Sequence, residues 1–297
     1  MDFEQKTDLT DPYSFSRAVL QSAPFLFNSP HSGRCYPDQF RNSSKLDATQ
    51  LRRSEDAFID LIFSDLPSKG IPLMAANFPR AFLDLNREPY ELDPHMFNEA
   101  LPPYAKSQTP RVGSGLGTIA RIVSENQEIY KHKLSLAHAL DRIELYYKPY
   151  HKMLRHQLAR IHVQFGYACL IDCHSMPSRI FRHLPSGQQP DIILGDRYGI
   201  SCHSDLTEAA YAILTDLGFN VALNNPYAGG FITQHYGRPT KGLHALQIEL
   251  NRALYMDEET ICPGVNFAAI QKAMTNFSEQ LQLSTSRLFR PTKAAAE

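Results

Sequence analysis

The sequence has almost no charge imbalance and no long hydrophobic run. Lys and Arg number 30 against 31 Asp and Glu, which leaves a formal net charge of -1. This balance provides no electrostatic attraction to nucleic acid or to an anionic membrane surface, so neither is an expected partner. The sequence also contains no apolar run of about 18 residues, so we expect no membrane span. Any partner has to be identified from sites rather than from bulk charge.

Cysteine is scarce, and its spacing fits no cysteine-based framework. The chain has 5 cysteines, an odd number, and none of them form a Cys-x-x-Cys pair. A disulfide scaffold or a cysteine-rich zinc site is therefore not expected, and a reducing compartment fits best. The first stretch, MDFEQKTDLTDPYSF, lacks the apolar core of a secretory signal. Both observations predict a cytoplasmic protein.

The residues that are present are sufficient for one large core. Of the 297 residues, 43% are hydrophobic and 21% are charged, which is typical of a soluble enzyme. No repeat, low-complexity segment or linker interrupts the chain. We therefore expect one domain over residues 1–297, with 1–20 and 290–297 as loosely ordered tails. The oligomeric state leaves no signal in the sequence.

Short apolar runs alternate with segments of helical periodicity. The runs that predict strands are PFLFNS (24–29), IPLMAANF (71–78), RAFLDLN (80–86), YACLID, DIILGD, FNVALN and HALQIEL. Helices are predicted over 47–68, over 127–165 with a kink or break at Pro149, over HSDLTEAAYAILTDLG, and around Phe267–Leu288. Residues 87–118 have little periodicity and indicate a functional loop. The alternation predicts an α/β fold, with a mostly parallel mixed sheet flanked by helices.

Polar residues of the types that bind metals gather where predicted strands end. His31 follows the first buried strand, His174 follows YACLID, and Glu249 ends HALQIEL. Ligands of open α/β sheets bind outside the carboxyl ends of the strands, so these three residues are expected to meet. Either histidine taken alone is more often a capped or solvated residue, and Glu249 alone could pair with Arg252. The joint pattern indicates a metal-dependent hydrolase.

A third ligand and an orienting group are also needed. Catalytic zinc usually has three protein ligands from histidine and carboxylate, which leaves a fourth position open. Glu55 and Asp56 are the acidic candidates, although both could belong to a charged helix face. Asp172 lies two residues before His174 and either orients an imidazole or bonds only to backbone. Cys173 adjoins His174, but neighbours on a strand point to opposite faces, so a packed thiol is the better interpretation.

The motifs NSPHSG, SEDAFID, DCHSMPS, NNPYAGGFITQHYGRP and HALQIELNRALYM together resemble the N-formylglutamate amidohydrolase (N-formylglutamate deformylase) family. The resemblance spans roughly residues 24–275. It implies a fold similar to zinc carboxypeptidases and bacterial cell-wall amidases (phosphorylase/hydrolase-like). It also implies hydrolysis of N-formyl-L-glutamate to formate and L-glutamate by metal-activated water, the last step of one histidine-degradation route.

The resemblance also implies roles for individual residues. It assigns His31 and His174 to the metal, Asp56 as the preferred third ligand with Glu55 as the alternative, and Glu249 as the general base. The implied cofactor is Zn²⁺, although His and carboxylate ligands also accept other divalent metals. The His-x-x-Glu pair of carboxypeptidases is absent, because Arg34 stands three residues after His31.

Substrate recognition is expected to rely on arginine, because N-formylglutamate carries two carboxylates and the guanidinium fork suits them. The candidates are Arg80, Arg87, Arg121 and Arg238. His235 is added by the resemblance alone.

Two alternatives for the function stay open. One is the same fold and metal acting on another N-acyl amide or on a peptidoglycan-type amide. The other, from a different class, is a metal- or ligand-binding module without turnover.

Overall fold

The structure is a computed structural model that describes residues 9–123, 126–185 and 187–288. A seven-stranded sheet runs through this part of the chain in the order β1-β3-β2-β4-β7-β5-β6. Its strands are β1 (Tyr13–Ser16), β2 (Phe25–Ser29), β3 (Leu73–Ala76), β4 (Ala168–Met176), β5 (Ile192–Gly195), β6 (Val221–Leu223) and β7 (Leu243–Asn251). A separate short ribbon pairs β8 (Met256–Asp257) with β9 (Cys262–Pro263).

The sheet is mixed but mostly parallel. Strands β3, β2, β4 and β7 are successively parallel, β5 and β6 are parallel, and the antiparallel pairs are β1 with β3 and β5 with β7. The predicted α/β fold with a mostly parallel mixed sheet is therefore confirmed. Because parallel strands end at the same edge of a sheet, the carboxyl ends of β2, β4 and β7 lie side by side.

Helices cover both faces of the sheet. The described helices are α1 (Asp38–Ser43), α2 (Ala48–Arg52), α3 (Ile59–Ile62), α4 (Pro110–Gly113), α5 (Leu136–Arg142), α6 (Lys148–Phe165), α7 (Ser204–Asp216), α8 (Phe231–Tyr236) and α9 (Phe267–Leu288). None of the described helices is long and apolar enough to cross a lipid bilayer.

Two hydrophobic cores, one on each face, follow from the two-residue period of the strands. Phe27, Ile171 and Ile248 belong to the core that α3, α7 and α9 cover. Leu26 and Leu170 belong to the core beneath α6 on the opposite face. Because both faces are buried, the strands have the continuous apolar runs from which they were predicted.

The prediction of a single helix over 47–68 is wrong, because the helical structure is interrupted between α2 and α3. Phe58 has a left-handed backbone with φ 67°. The backbone N–H of Asp56 donates to the carbonyl of His31 at 3.0 Å, and the carbonyl of Glu55 accepts from Arg252 at 2.6 Å. Tertiary hydrogen bonds thus replace the helical ones at this point. The break carries both acidic candidates to the end of β2.

The helix predicted over 127–165 begins later, at Leu136, and contains one π-helical turn over Ile143–Tyr147. Pro149 follows in the first turn of α6. The π turn directly before Pro149 accommodates the proline, so the helix continues through it. Residues 127–135 form isolated bridges, such as that of Tyr130 with Ser44, which the periodicity did not distinguish from a helix. π turns are frequent near functional sites, and this one lies beneath the strand ends described next.

Two smaller predictions also change. RAFLDLN forms turns instead of a strand, because its backbone N–H groups bond to loop carbonyls, as Asp84 does to Thr118 at 2.8 Å. Part of the tail predicted over 1–20 is ordered, since β1 pairs with β3. The tail predicted over 290–297 lies outside the described residues. A single domain over 1–297 stays a prediction.

Candidate metal centre

The carboxyl halves of three neighbouring strands present polar side chains on one face of the sheet. In the register, Asn28 of β2 pairs with Asp172 of β4, and Asp172 pairs with Gln247 of β7. Two residues further on, His174 pairs with Glu249. Side chains at alternate positions share a face, so all five lie on the same side of the sheet. The amino halves of these strands place apolar residues on that face.

His31, Asp56 and His174 meet at this edge. One ligand atom from each lies within 4.8 Å of the other two. The Nδ1 atom of His31 is 3.3 Å from Oδ2 of Asp56, and the Nδ1 atom of His174 is 2.9 Å from the same oxygen. The three side chains are almost completely buried, with 1%, 1% and 3% of their surface exposed. Three metal-binding groups therefore converge away from bulk water.

Each imidazole is held by a second carboxylate through its other nitrogen. Nε2 of His31 lies 2.8 Å from Oδ1 of Asp84, and Nε2 of His174 lies 2.9 Å from Oδ2 of Asp172. A carboxylate accepts a hydrogen bond from Nε2–H, so the lone pair of each ring is left on Nδ1. Both lone pairs therefore point into the cluster.

Asp56 is held in the same manner. Its Oδ1 accepts from Nη2 of Arg252 at 3.2 Å and from the hydroxyl of Ser175 at 3.3 Å, which leaves Oδ2 facing the histidines. Burial alone would raise the pKa of the Asp56 carboxyl. The close contacts with His174 and His31 outweigh it and hold that pKa well below the usual range. The carboxylate is thus ionised, as a metal ligand must be.

The donor set fits a divalent metal ion. Nδ1 of His31 is buried and has no hydrogen-bond partner in the described part of the chain, so its lone pair is unused within the protein. Two imidazoles and one carboxylate are also the common ligands of catalytic zinc with an open fourth position. The orphaned nitrogen and the three oriented ligand atoms both favour a cation here.

Glu55 lies apart from this cluster. Its Oε1 accepts from the hydroxyl of Tyr36 at 2.6 Å, and its carboxylate pairs with Nε of Arg52 at 3.2 Å. Glu55 and Asp56 are consecutive in the turn between α2 and α3, and their side chains point to different sides. Only one of the two carboxylates can therefore reach the histidines. The structure brings Asp56, and not Glu55, to the histidines.

Glu249 lies beside the cluster on β7. Its carboxylate is 6% exposed, and Oε1 accepts from Nε2 of Gln247 at 2.9 Å. Burial raises the pKa of Glu249 to about 8; His174 acts against this rise and Asp56 adds to it. A carboxyl group with a pKa near neutrality can both accept and return a proton at physiological pH.

Two of the predicted arginines border the cluster. Nη2 of Arg80 donates to Oδ2 of Asp84 at 2.8 Å, and Nη2 of Arg87 lies 3.8 Å from the same atom. The rest of the Arg87 guanidinium donates to the carbonyls of Leu116 and Asn86, both at 2.8 Å. Both guanidinium groups are therefore held next to the carboxylate that orients His31.

The other predicted binding residues lie elsewhere. Arg121 pairs with Asp93 at 3.0 Å, in a separate hollow. His235 and Arg238 line a groove beside α6. The backbone N–H of Arg238 bonds to Leu243, six residues before Glu249 and therefore roughly 20 Å from it along β7. The structure does not bring these three residues to the cluster.

An arginine-rich cleft of about 630 Å³ is lined in part by Arg252. Arg252 links the two regions, since it lines the cleft and also bonds to Asp56. The other basic residues that line the cleft are Arg52, Arg53, Arg179 and Arg182. The cleft thus adjoins a residue that holds one of the proposed metal ligands.

Several residues of the site were missed in the sequence. Asp84 and Asn86 were assigned to a strand, although the polar alternation in DLN was a signal that this segment is not simply core. Arg252 was considered only as a partner of Glu249, and it bonds to Asp56 instead. Gln247 stands two residues before Glu249, which is the spacing of a shared strand face. Ser175 directly follows His174, and the sequence assigned it no role.

Comparisons with known proteins agree on one family. The family described as N-formylglutamate amidohydrolase matches residues 23–256. N-formylglutamate deformylase of Pseudomonas putida is 33% identical over 238 residues, covering 79% of this chain and 82% of the relative. That of Pseudomonas aeruginosa is 29% identical over 250 residues, covering 83% and 86%.

Solved structures agree with the sequence comparison. The crystal structure of N-formylglutamate amidohydrolase from Ralstonia eutropha JMP134 has a TM-score of 0.85 and 32% identity, over 93% of this chain and 98% of that one. A gene product of Agrobacterium tumefaciens has a TM-score of 0.67 at 18% identity, over 94% of this chain and 95% of that one. The second likeness shows a shared fold alone.

Proposed function

Because the chain belongs to the N-formylglutamate amidohydrolase family, we propose that it hydrolyses N-formyl-L-glutamate to formate and L-glutamate. The reaction takes place at the centre formed by His31, Asp56 and His174, which hold a divalent metal, preferably zinc. The observation that supports this most is the buried cluster of three ligand atoms, each held by an outer partner. In metabolism the reaction would be the last step of a histidine-degradation route.

The chain's own residues account for the ligand geometry of the centre. His31 and His174 offer Nδ1, and Asp56 offers Oδ2, while Asp84 and Asp172 hold the Nε2 atoms and orient the two rings. A divalent ion held by these atoms supplies Lewis-acid chemistry, which makes water acidic enough to attack at neutral pH. The surrounding apolar cores exclude bulk water and strengthen the electrostatic interactions inside.

Glu249 is the proposed general base. It accepts one proton from the attacking water while the water oxygen bonds to the formyl carbon. It then donates that proton to the amide nitrogen as the C–N bond breaks. The second proton of the water passes from the new carboxyl group to the amine, so formate and L-glutamate with a protonated amine leave. Gln247 holds its carboxylate on the side of His174, and its raised pKa suits this proton exchange.

Arg80 and Arg87 are the proposed carboxylate-binding residues, because they border the centre. Both are fixed by Asp84 or by backbone carbonyls, so little conformational entropy is lost when a substrate binds. A formyl group is small, and affinity has to come from the glutamate part. A clamp of fixed guanidinium groups supplies it through charge-assisted hydrogen bonds.

The direct test is release of L-glutamate from N-formyl-L-glutamate by purified protein. The assay is repeated after chelation and after zinc is added back. We expect activity that disappears with the chelator and returns with zinc. Metal-loaded protein that binds zinc but leaves this substrate intact would reject the substrate and keep the centre.

A second candidate is the same centre acting on an amide with a larger acyl group. The arginine-rich cleft that Arg252 lines offers space and positive charge that a formyl group does not need. A panel of N-acyl glutamates with formyl, acetyl and carboxylate-bearing acyl groups separates the two candidates by kcat/KM. A protein that binds zinc but turns over none of them would instead be a binding module.

A further inference from the structure

One buried helical turn touches both networks that orient the histidines. Tyr147 ends the π turn, and Tyr150 and His151 follow in α6. All three side chains are buried, with Tyr150 at 0% exposure. None of them contacts His31 or His174 directly. Their hydrogen bonds nevertheless lead to the groups that do.

The first connection runs through Tyr150. Its hydroxyl donates to Oδ1 of Asn28 at 2.5 Å. Nδ2 of Asn28 donates to Oδ1 of Asp172 at 2.7 Å, and Oδ2 of Asp172 lies 2.9 Å from Nε2 of His174. Four buried side chains thus form a continuous chain that ends on the ring whose Nδ1 faces the centre.

The tyrosine hydroxyl sets the direction of this chain. An asparagine amide can turn over and exchange its oxygen with its nitrogen. A donor on Oδ1 requires the orientation in which Nδ2 points at Asp172. Without the hydroxyl, Oδ1 of Asn28 is a buried acceptor with no partner, which costs about 1–3 kcal/mol and weakens the preference for that orientation. Asp172 then loses the bond that holds it toward His174.

The second connection runs through backbone. The hydroxyl of Tyr147 donates to the carbonyl of Arg87 at 2.6 Å, and Nε2 of His151 donates to the carbonyl of Leu85 at 3.0 Å. These two bonds hold a loop whose side chains reach both imidazoles. Nδ2 of Asn86 lies 3.3 Å from Nε2 of His174, and Asp84 holds His31.

We propose that the turn over residues 147–151 is the positioning element of the metal centre, with Tyr150 as its principal positioning residue. Tyr150 acts on His174 at a distance, through Asn28 and Asp172, and touches no substrate. The inference rests on the proposed function, since it requires that the centre binds a divalent ion. Direct outer partners of metal ligands typically contribute about 10–100-fold to metal affinity. One step further out, we expect about 3–10-fold for Tyr150.

The test uses three neighbouring tyrosines and zinc alone as the probe. Zinc affinity of the metal-free full chain is measured by competition with a chromogenic chelator for wild type, Tyr150→Phe, Tyr147→Phe and the control Tyr146→Phe. The Tyr146 hydroxyl has no hydrogen bond in the described residues and packs against Phe78 and Phe82. We expect weaker zinc binding by about 3–10-fold for the first two variants, and less than a twofold change for the control.

A double-mutant cycle distinguishes positioning from general destabilisation. If Tyr150 acts through Asp172, then adding Tyr150→Phe to Asp172→Asn should weaken zinc binding by less than a further twofold. If the losses of zinc affinity in the two single variants multiply in the double variant, the proposal is overturned. Wild-type zinc affinity in folded Tyr150→Phe would also overturn it. If Tyr150→Phe did not fold, Asn28→Ala interrupts the same chain and carries the test with the same outcomes. Wild-type protein that binds no zinc would instead reject the proposed centre itself.

Discussion

Among individual residues, the centre depends on which ring nitrogen each histidine uses. Asp84 and Asp172 each occupy an Nε2 atom, so both histidines offer Nδ1 to the same oxygen of Asp56. Arg252 and Ser175 fix the other oxygen of Asp56. Three ligand atoms are thereby preorganised without a metal, and binding an ion requires little rearrangement.

The role of Glu249 gives a prediction at this scale. Glu249→Gln keeps the shape and the burial of the side chain but cannot accept a proton from water. We expect turnover of N-formyl-L-glutamate to fall by about 10²–10⁴-fold while zinc affinity stays within a few-fold of wild type. Steady-state kinetics and a zinc titration measure the two effects. Glu208→Gln, at an exposed position of α7, is the matched control and should retain full activity. Near-wild-type turnover in Glu249→Gln would remove this residue from the mechanism.

Two of the four arginines predicted from sequence give a second prediction at the residue scale. Arg87 borders the centre, whereas Arg238 lies at the amino end of β7. A charge-assisted hydrogen bond contributes about 1.5–3 kcal/mol, so Arg87→Gln should raise KM for N-formyl-L-glutamate by at least about tenfold. Arg238→Gln should leave KM within about twofold. Kinetics of the two variants at saturating zinc provide the comparison, and the reverse ranking would return Arg238 to the binding site.

Among the elements, α6 brings a titratable group into the interior. Burial lowers the pKa of His151 to about 3, even though its bond to the Leu85 carbonyl acts in the other direction. The unfolded chain has an ordinary histidine pKa of about 6.5 and therefore binds more protons between these two values. The free energy of unfolding should fall as pH drops from about 6.5 toward 3, by up to about 1.4 kcal/mol per pH unit from this residue.

His151→Gln removes this proton linkage and keeps a side chain that can still hydrogen-bond. We expect the variant to lose stability less steeply than wild type when pH falls from about 6.5 to 4.5. Urea unfolding at several pH values measures the slope. His156→Gln, one turn further along α6 and exposed, should keep the wild-type slope. Equal slopes in wild type and His151→Gln would show that His151 is protonated without cost in the folded chain.

At the scale of whole elements, sequence periodicity predicted helices correctly where the local preference for a helix and the tertiary contacts agree. The last helix was predicted around Phe267–Leu288, and α9 has these bounds. The helix over 47–68 failed because hydrogen bonds from Asp56 and Glu55 to distant segments replaced the helical ones. Those bonds connect residues far apart in the sequence, and no local pattern reports them.

For the molecule as a whole, metal binding should be coupled to folding. The three ligands come from the ends of β2 and β4 and from the turn before α3, so the site does not exist in the unfolded chain. An ion that binds only the folded state stabilises it by about 2.7 kcal/mol when present at 100 times its Kd.

We therefore expect zinc to raise the midpoint of thermal unfolding, and calorimetry with and without chelator measures the shift. His174→Ala should abolish most of it, whereas the exposed control His156→Gln should retain it. A zinc-independent midpoint in wild type would contradict the proposed centre.

The sequence by itself determined the α/β class, the strands that carry His174 and Glu249, and the family. Those features depend on local apolar periodicity and on short motifs. Only the tertiary structure decided that Asp56 rather than Glu55 faces the histidines, that Asp84 and Arg252 complete their surroundings, and that Arg121 and Arg238 lie away from them. The physical reason is that these choices depend on side-chain direction and on contacts between distant segments, which strand register and broken helices set.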